Sequence, residues 1–215
     1  MNPKVSGLLI GIIVAACFAT GALVYPHLPA VGVAHWNAQG EPNGSSSRLA
    51  IAFILPGVLL LLYGLWALLP KIDPLNKGFR GFRHVYDFFW ILLSAFLAYV
   101  YSLMLLANLG GGGDFFPQVM RALGAFFFVA GLLLPMVKRN WFFGIRTPWT
   151  ISSDDDWRKT HRLGGVLFCL AGAILFAASF FSRALTLELG IGSVIAAALI
   201  SAAYSYVIYP RAPRP

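Results

Sequence analysis

The sequence predicts an all-α fold: a polytopic membrane bundle of six transmembrane helices, with the N- and C-termini both inside. Three observations carry this. Charged residues make up 11% of the 215-residue chain and hydrophobic residues 59%, whereas a soluble domain carries about a quarter charged residues. Most side chains therefore have lipid, not water, as their solvent. Six apolar runs, near 6–24, 49–69, 88–109, 119–137, 164–181 and 189–209, reach the roughly 17–25 residues a helix needs to cross a bilayer. The basic residues are also sorted. With the N-terminus in the cytoplasm, the inner segments hold Lys4, Lys71, Lys77, Arg80, Arg83, Lys138, Arg139, Arg146, Arg158, Lys159, Arg162, Arg211 and Arg214, thirteen of the sixteen Lys and Arg. Only Arg48, Arg121 and Arg183 stay outside. Lys and Arg gather in cytoplasmic loops, so topology accounts for the formal charge of +8. No nucleic-acid motif accompanies these residues, and no direct nucleic-acid partner is expected.

The first run follows Lys4 and could pass for a signal peptide. It is long, however, and Tyr25, Pro26 and His27 make a poor cleavage site, so it is expected to stay as a span. The long outer connection, residues 25–48, is rich in turn formers but interrupted by His35 and Trp36. That pattern predicts an ordered loop. Pro56 in the second run should kink its helix and free a backbone carbonyl. Residues 70–86 form a basic inner connection, and 110–114 a short outer turn. Arg121, near the start of the fourth run, can snorkel toward the headgroups. A long cytoplasmic loop joins the fourth and fifth helices. Gly and Ala are frequent in the first, fifth and sixth runs, which marks them as closely packed helices. Cys17 and Cys169 lie inside apolar runs and read as small packing residues. The chain divides into a two-span module, 1–70, and a four-span module, 71–215, integrated in one membrane domain.

The spans lack chemistry at their centres. Asp87, Asp114 and Glu188 fall at span ends, and intramembrane charges are what usually mark ion paths and proton relays. No HExxH, GxSxG or Ser–Lys pair at membrane depth is present. Neither an enzyme nor a cofactor is expected. His27, His35 and Glu41 could form part of an outer zinc site. The plainer reading has His35 hydrogen-bonding the turn backbone of its own loop, and no metal is expected.

Two stretches stand apart. The outer one holds His35, Trp36, Asn37, Gly40, Glu41 and Pro42: donors and acceptors, an interfacial aromatic and a tight-turn glycine. It could be a folded cap over the bundle. The inner one, 140–165, is aromatic, basic and acidic at once. Ser153 reads as a helix N-cap in a capping-box pattern with Asp156. Asp154, Asp155 and Asp156 then favour the helix macrodipole, and Asp154–Arg158 and Asp155–Lys159 are i,i+4 pairs. A helix should therefore run from about 153 into the fifth span. The preceding 140–149 has no period and is broken by Gly144 and Pro148. Its aromatic residues suit the headgroup interface, with Arg146 held by stacking, by carbonyls or by a lipid phosphate.

Both stretches resemble the SdpI family. The first resemblance rests on Leu28-Pro29, His35-Trp36-Asn37, Gly40 and Pro42. The second rests on Asn140, the run from Phe143 through Gly144, Ile145, Arg146, Thr147, Pro148 and Trp149 to Thr150, then Ser152, Ser153, Trp157, Thr160, His161 and Arg162. Asn43 departs from the pattern, because many relatives carry an acidic residue there. The resemblance implies a multi-pass protein of the cytoplasmic (inner) cell membrane. It would protect the cell against a secreted toxic peptide and hold a small DNA-binding repressor at the membrane. The outer residues His35 to Pro42 would then meet the peptide. Asn140, Phe143, Gly144, Arg146, Thr147, Pro148, Trp149, Trp157, His161 and Arg162 would form the inner docking motif. Membrane lipid is the third expected partner. The alternative is a small transporter or exporter of an amphipathic substrate, which the Pro56 kink and Gly-rich packing would let move. A metal-dependent membrane enzyme is the third reading.

Overall fold

The computed structural model describes residues 2–37, 39–111 and 113–209, with side chains except at 76–80. Arg211 and Arg214 lie outside the described residues. The helices are α1 (Pro3–Val24), α2 (Arg48–Ile72), α3 (Asn76–Asn108), α4 (Phe115–Leu133), the short α5 (Pro148–Ser152), α6 (Asp154–Ala178), α7 (Arg183–Leu185) and α8 (Gly192–Ile208). A π-helical turn, Thr186–Ile191, joins the last two. Six helical segments are long and apolar enough to cross a membrane: Pro3–His27, Arg48–Ile72, Gly81–Asn108, Phe115–Met136, Asp154–Ala178 and Arg183–Ile208. The third and fifth start earlier than their apolar runs, because each helix continues as a polar extension beyond the run. In α3 the extension bends at Phe82, whose φ/ψ of −132°/19° is not helical.

The outer connection is an antiparallel hairpin of β1 (Val31–Trp36) and β2 (Pro42–Ser47), so a two-stranded sheet is added to the predicted all-α architecture. Val31, Val33 and Trp36 suit a strand, whereas Pro42, Asn43, Gly44 and three serines do not. The hairpin is held from outside. Asn108, at the end of α3, accepts from Val33 N at 2.8 Å and donates to Val33 O at 2.9 Å, standing in for a third strand.

Two triplets make up the bundle. Helices α1, α2 and α3 pack on one another, α6 lies between α4 and α8, and α3 against α4 joins the halves. In the first triplet, prolines and tyrosines work together. Pro56 and Pro70 lie inside α2, which runs on through both. Each leaves the carbonyl four residues earlier, Ala52 O and Trp66 O, without its helical N–H. Tyr101 OH donates to Ala52 O at 2.7 Å and Tyr86 OH to Trp66 O at 3.0 Å, both from α3. Leaving either carbonyl unmet would cost about 1–3 kcal/mol.

Asp87 lies near one end of its span, as its sequence position suggested, and is fully buried at the junction of three helices. Trp66 Nε1 from α2 and Arg83 Nε from α3 donate to its Oδ1, each at 2.8 Å, and Ser6 Oγ from α1 donates to Oδ2 at 3.2 Å. A buried carboxylate is tolerated when it is paired and hydrogen-bonded on this scale.

In the second triplet, glycines on α4 meet glycines on α6. A Cβ on Gly124 would lie 2.6 Å from Phe176 N, and one on Gly131 would lie 2.6 Å from Cys169 N and 2.8 Å from Gly165 O. Gly172 faces Gly124 in return. The closest helix approach thus involves the fourth span, beyond the first, fifth and sixth that composition singled out. Cys169 belongs to this contact, with its Sγ 3.4 Å from Phe128 O.

Candidate functional site

At the hairpin end, a cavity of about 440 Å³ opens between the hairpin and the helix ends. Its walls are Ala34–Asn37, Leu55 of α2, Val100 and Met104 of α3, Phe115, Phe116, Val119 and Met120 of α4, and Leu187 and Ile191 of the π-helical turn. Trp36 closes it by stacking on Phe115, with ring centroids 4.3 Å apart and planes at 16°. Only His35 and Asn37 bring polar side-chain groups, apart from the Trp36 indole N–H. An apolar chamber with a few polar groups at its mouth suits apolar or aromatic side chains, and Met104 and Met120 can adapt to their shape.

The turn closing this chamber is built by Asn37. Its Oδ1 accepts from Glu41 N at 2.9 Å, and its Nδ2 donates to Glu41 Oε2 at 3.2 Å. Its backbone N–H donates to Glu41 O, and its carbonyl accepts from Gly40 N. Gly40 sits at φ +73°, where a side chain would be strained, and a Cβ would also collide with Arg183. Arg183 in turn pairs with Asp114 at 2.6 Å, latching α7 to the start of α4 beside the turn. Glu41 and Pro42 are exposed on the turn and do not line the chamber.

His35 bonds a side chain, not the turn backbone that sequence reasoning gave it. Its Nδ1 lies 2.6 Å from Asn43 Oδ1 across the hairpin. An amide oxygen only accepts, so Nδ1 is the donor. A register shift at His35 sets it opposite Gly44, and a Cβ on Gly44 would lie 2.9 Å from His35 Cβ. Among the described residues, no group of three or more His, Cys, Asp or Glu side chains is placed to hold a metal ion.

At the opposite end, residues 137–162 fold into a tight cap around Asn140. This side chain is fully buried and uses all its bonding capacity. Its Oδ1 accepts from Phe142 N at 2.9 Å and Phe143 N at 2.6 Å, while Nδ2 donates to Lys138 O at 2.9 Å and Phe143 O at 2.8 Å. Buried Asp73 ties the cap to the end of α2 by accepting from Trp141 N at 2.9 Å. Phe143 meets Phe89 edge-on at 4.7 Å and packs near Tyr86 and Phe82 of α3.

His161 of α6 anchors the other flank. Its Nε2 accepts from Ile145 N at 3.1 Å, which leaves Nδ1 as the donor to Trp157 O at 2.8 Å. The imidazole is therefore neutral, and it stacks on Trp157 at 4.1 Å. Trp157 Nε1 donates to Val137 O at 2.8 Å. Gly144, at φ +109°, leaves room for His161, which a Cβ would strike. Thr147 caps α5 in a reciprocal box with Thr150 and meets Ser205 of α8 at 3.0 Å. Trp149 packs edge-on against Tyr206, 4.9 Å away.

The predicted inner residues thus divide in two. Asn140, Trp157 and His161 are buried structural members, and Phe143, Thr147 and Trp149 are half-buried; Arg146, Pro148 and Arg162 face outward. Ser153 caps α6 as expected, with Oγ accepting from Asp156 N at 3.2 Å. Asp155–Lys159 forms at 2.6 Å. Asp154–Arg158 does not. Arg139, braced by Ile151 O, takes Asp154 at 2.7 Å, and Arg158 pairs with Asp155. Asp73, Asn108 and the Asp114–Arg183 pair had no sequence signal beyond their polarity.

Comparison with known proteins finds similarity in both parts of the chain. Residues 136–209 match the SdpI/YfhL protein family, and residues 12–60 match a domain of unknown function, DUF1648. The chain is 27% identical over 207 residues to the immunity protein SdpI of Bacillus subtilis (strain 168), covering 93% of this chain and 94% of that protein. The chain is thus similar to the SdpI family over residues 136–209 and to one immunity protein along most of its length. No solved structure matches it. The SdpI-family match takes in the whole 140–162 cap together with α6 and α8. The DUF1648 match takes in the hairpin with the adjoining parts of α1 and α2. The long match to the B. subtilis relative spans both regions.

Proposed function

We propose that this protein is a non-enzymatic membrane immunity protein that blocks a secreted toxic peptide at its hairpin face and holds a repressor at its basic face. The hairpin face would be external, with the N-terminus and the end of α8 cytoplasmic. The two-span module 1–70 would supply most of the outer site, and the four-span module 71–215 the inner one. The observation that carries the reading is the Trp36-closed apolar chamber on a bundle similar to the SdpI family. A toxic peptide that enters membranes must expose apolar side chains, and this chamber would take one or two of them. His35 and Asn37 at its mouth would meet the peptide backbone.

Trp36→Ala removes the aromatic lid and should lower protection. Loss of a stacked Trp at a binding centre costs about 2 kcal/mol or more, roughly 30-fold in the peptide dose survived. Survival of expressing cells under peptide challenge measures it, with membrane insertion checked in parallel. Full protection by Trp36→Ala and by the cavity-filling Leu187→Trp would sink the outer-site reading.

For the inner face, capture of an acidic patch on the repressor is assigned to exposed basic residues. Buried Trp157 is unsuited to that role. Arg162→Glu reverses an exposed charge and should reduce recovery of the repressor with toxin-exposed membranes. Undiminished recovery counts against docking on this helix face.

A further inference from the structure

A second cleft, of about 320 Å³, lies on the flank of the bundle near the basic face. We propose that it binds one anionic phospholipid, with an acyl chain along its aromatic wall and the phosphate on Arg146. The wall is α4 from Phe126 to Leu133, with Phe89 of α3 and Phe168 of α6 on either side. The segment Phe142–Arg146 closes the end toward the basic face. Eight residues of helix make the slot about 12 Å long, close to the roughly 15 Å depth of one leaflet. Its α4 wall belongs to a membrane-crossing helix, Phe115–Met136. Its occupant is therefore a molecule of the bilayer, not a soluble partner.

The headgroup charge follows from what surrounds the mouth. Among the described residues, Arg146 is the one charged residue lining the cleft. It is exposed, and its Nη1 donates to Trp141 O at 2.9 Å. Several nearby cations already have carboxylate partners: Arg83 pairs with Asp87 and Arg139 with Asp154, while Arg158 and Lys159 share Asp155. Among the described residues no carboxylate pairs with Arg146. The remaining N–H groups of its guanidinium offer the planar fork that a phosphate accepts. Trp141, half exposed beside it, marks headgroup depth. A phosphatidylcholine would bring its own ammonium to this site, whereas a phosphatidylglycerol brings an uncompensated charge.

The test is native mass spectrometry of the delipidated full chain, titrated with dioleoyl phosphatidylglycerol or dioleoyl phosphatidylcholine. Phosphatidylglycerol should bind about tenfold tighter, the scale of one charge-assisted pair. Arg146→Gln should erase that preference, and Ala130→Trp, which fills the slot, should weaken both lipids. Arg146 is outside the core, so Arg146→Gln remains informative even if Ala130→Trp fails to fold. Equal binding of the two lipids by the natural chain, or a preference that survives Arg146→Gln, overturns the proposal. Neither result bears on peptide protection, which depends on the other end of the bundle.

Discussion

Gly172→Leu should abolish the folded bundle. A Cβ at Gly172 would collide with Phe128 N and approach Gly124 O to 2.6 Å and Phe128 Cα to 2.8 Å. All three are backbone atoms of α4, so no rotamer change relieves them. The helices must separate, and the neighbouring contact of Gly131 with Gly165 is lost with them. In lipid there is little hydrophobic force between helices, and close packing supplies most of the association. Ordinary overpacking costs about 1–3 kcal/mol. A leucine pressed against the α4 backbone should exceed roughly 4 kcal/mol, in the exceptional class of single substitutions. Fluorescence-detected size exclusion in mild detergent measures it, with Gly57→Leu as the control, since nothing lies within 4 Å of a Cβ there. A monodisperse, heat-stable Gly172→Leu protein would show that the α4–α6 approach does not hold the fold.

Asn140→Asp is nearly isosteric and should still undo the inner cap. Its two donated bonds, to Lys138 O and Phe143 O, become contacts between oxygens. The accepted bonds from Phe142 N and Phe143 N could survive. An unpaired charge in a fully buried position usually costs about 3–5 kcal/mol. The cap should open, freeing the backbone at Arg139 and Arg146 for cleavage by trypsin, while the hairpin end keeps its structure. Limited proteolysis reads the first effect. Binding of the peptide proposed for the chamber reads the second, because the chamber at the far end is untouched. Trypsin resistance equal to that of the natural chain would mean that the turn does not depend on the Asn140 amide.

The six spans were legible because hydropathy over a window is a local property, and Ser153 was legible as a cap because its partner is three residues away. The hairpin was seen only as an ordered loop. Half of it consists of poor strand formers, and its third partner, Asn108, is 75 positions distant from Val33. The burial of Asp87 was hidden for a similar reason. Its position in the apolar run is near an edge, but Ser6 and Trp66 come from other helices. The inner motif gave its residue types without their directions. Asn140, His161 and Trp157 turn inward, which no spacing in a loop without period can reveal. The seven-residue intervals of Gly124 to Gly131 and Gly165 to Gly172 were there to be read. Those of the fourth span were obscured by the phenylalanines between them.

The two tyrosine bonds to α2 have a mechanical consequence. The carbonyls they satisfy are fourteen residues apart, about 21 Å along the helix, and their donors are fifteen apart on the antiparallel α3. A slide of one helix past the other by a single turn would break both at once. The α2–α3 pair therefore behaves as a rigid stave reaching from the Trp36 chamber toward the Asn140 cap. Any motion linking the two ends must come from α4, α6 and α8 pivoting against that stave.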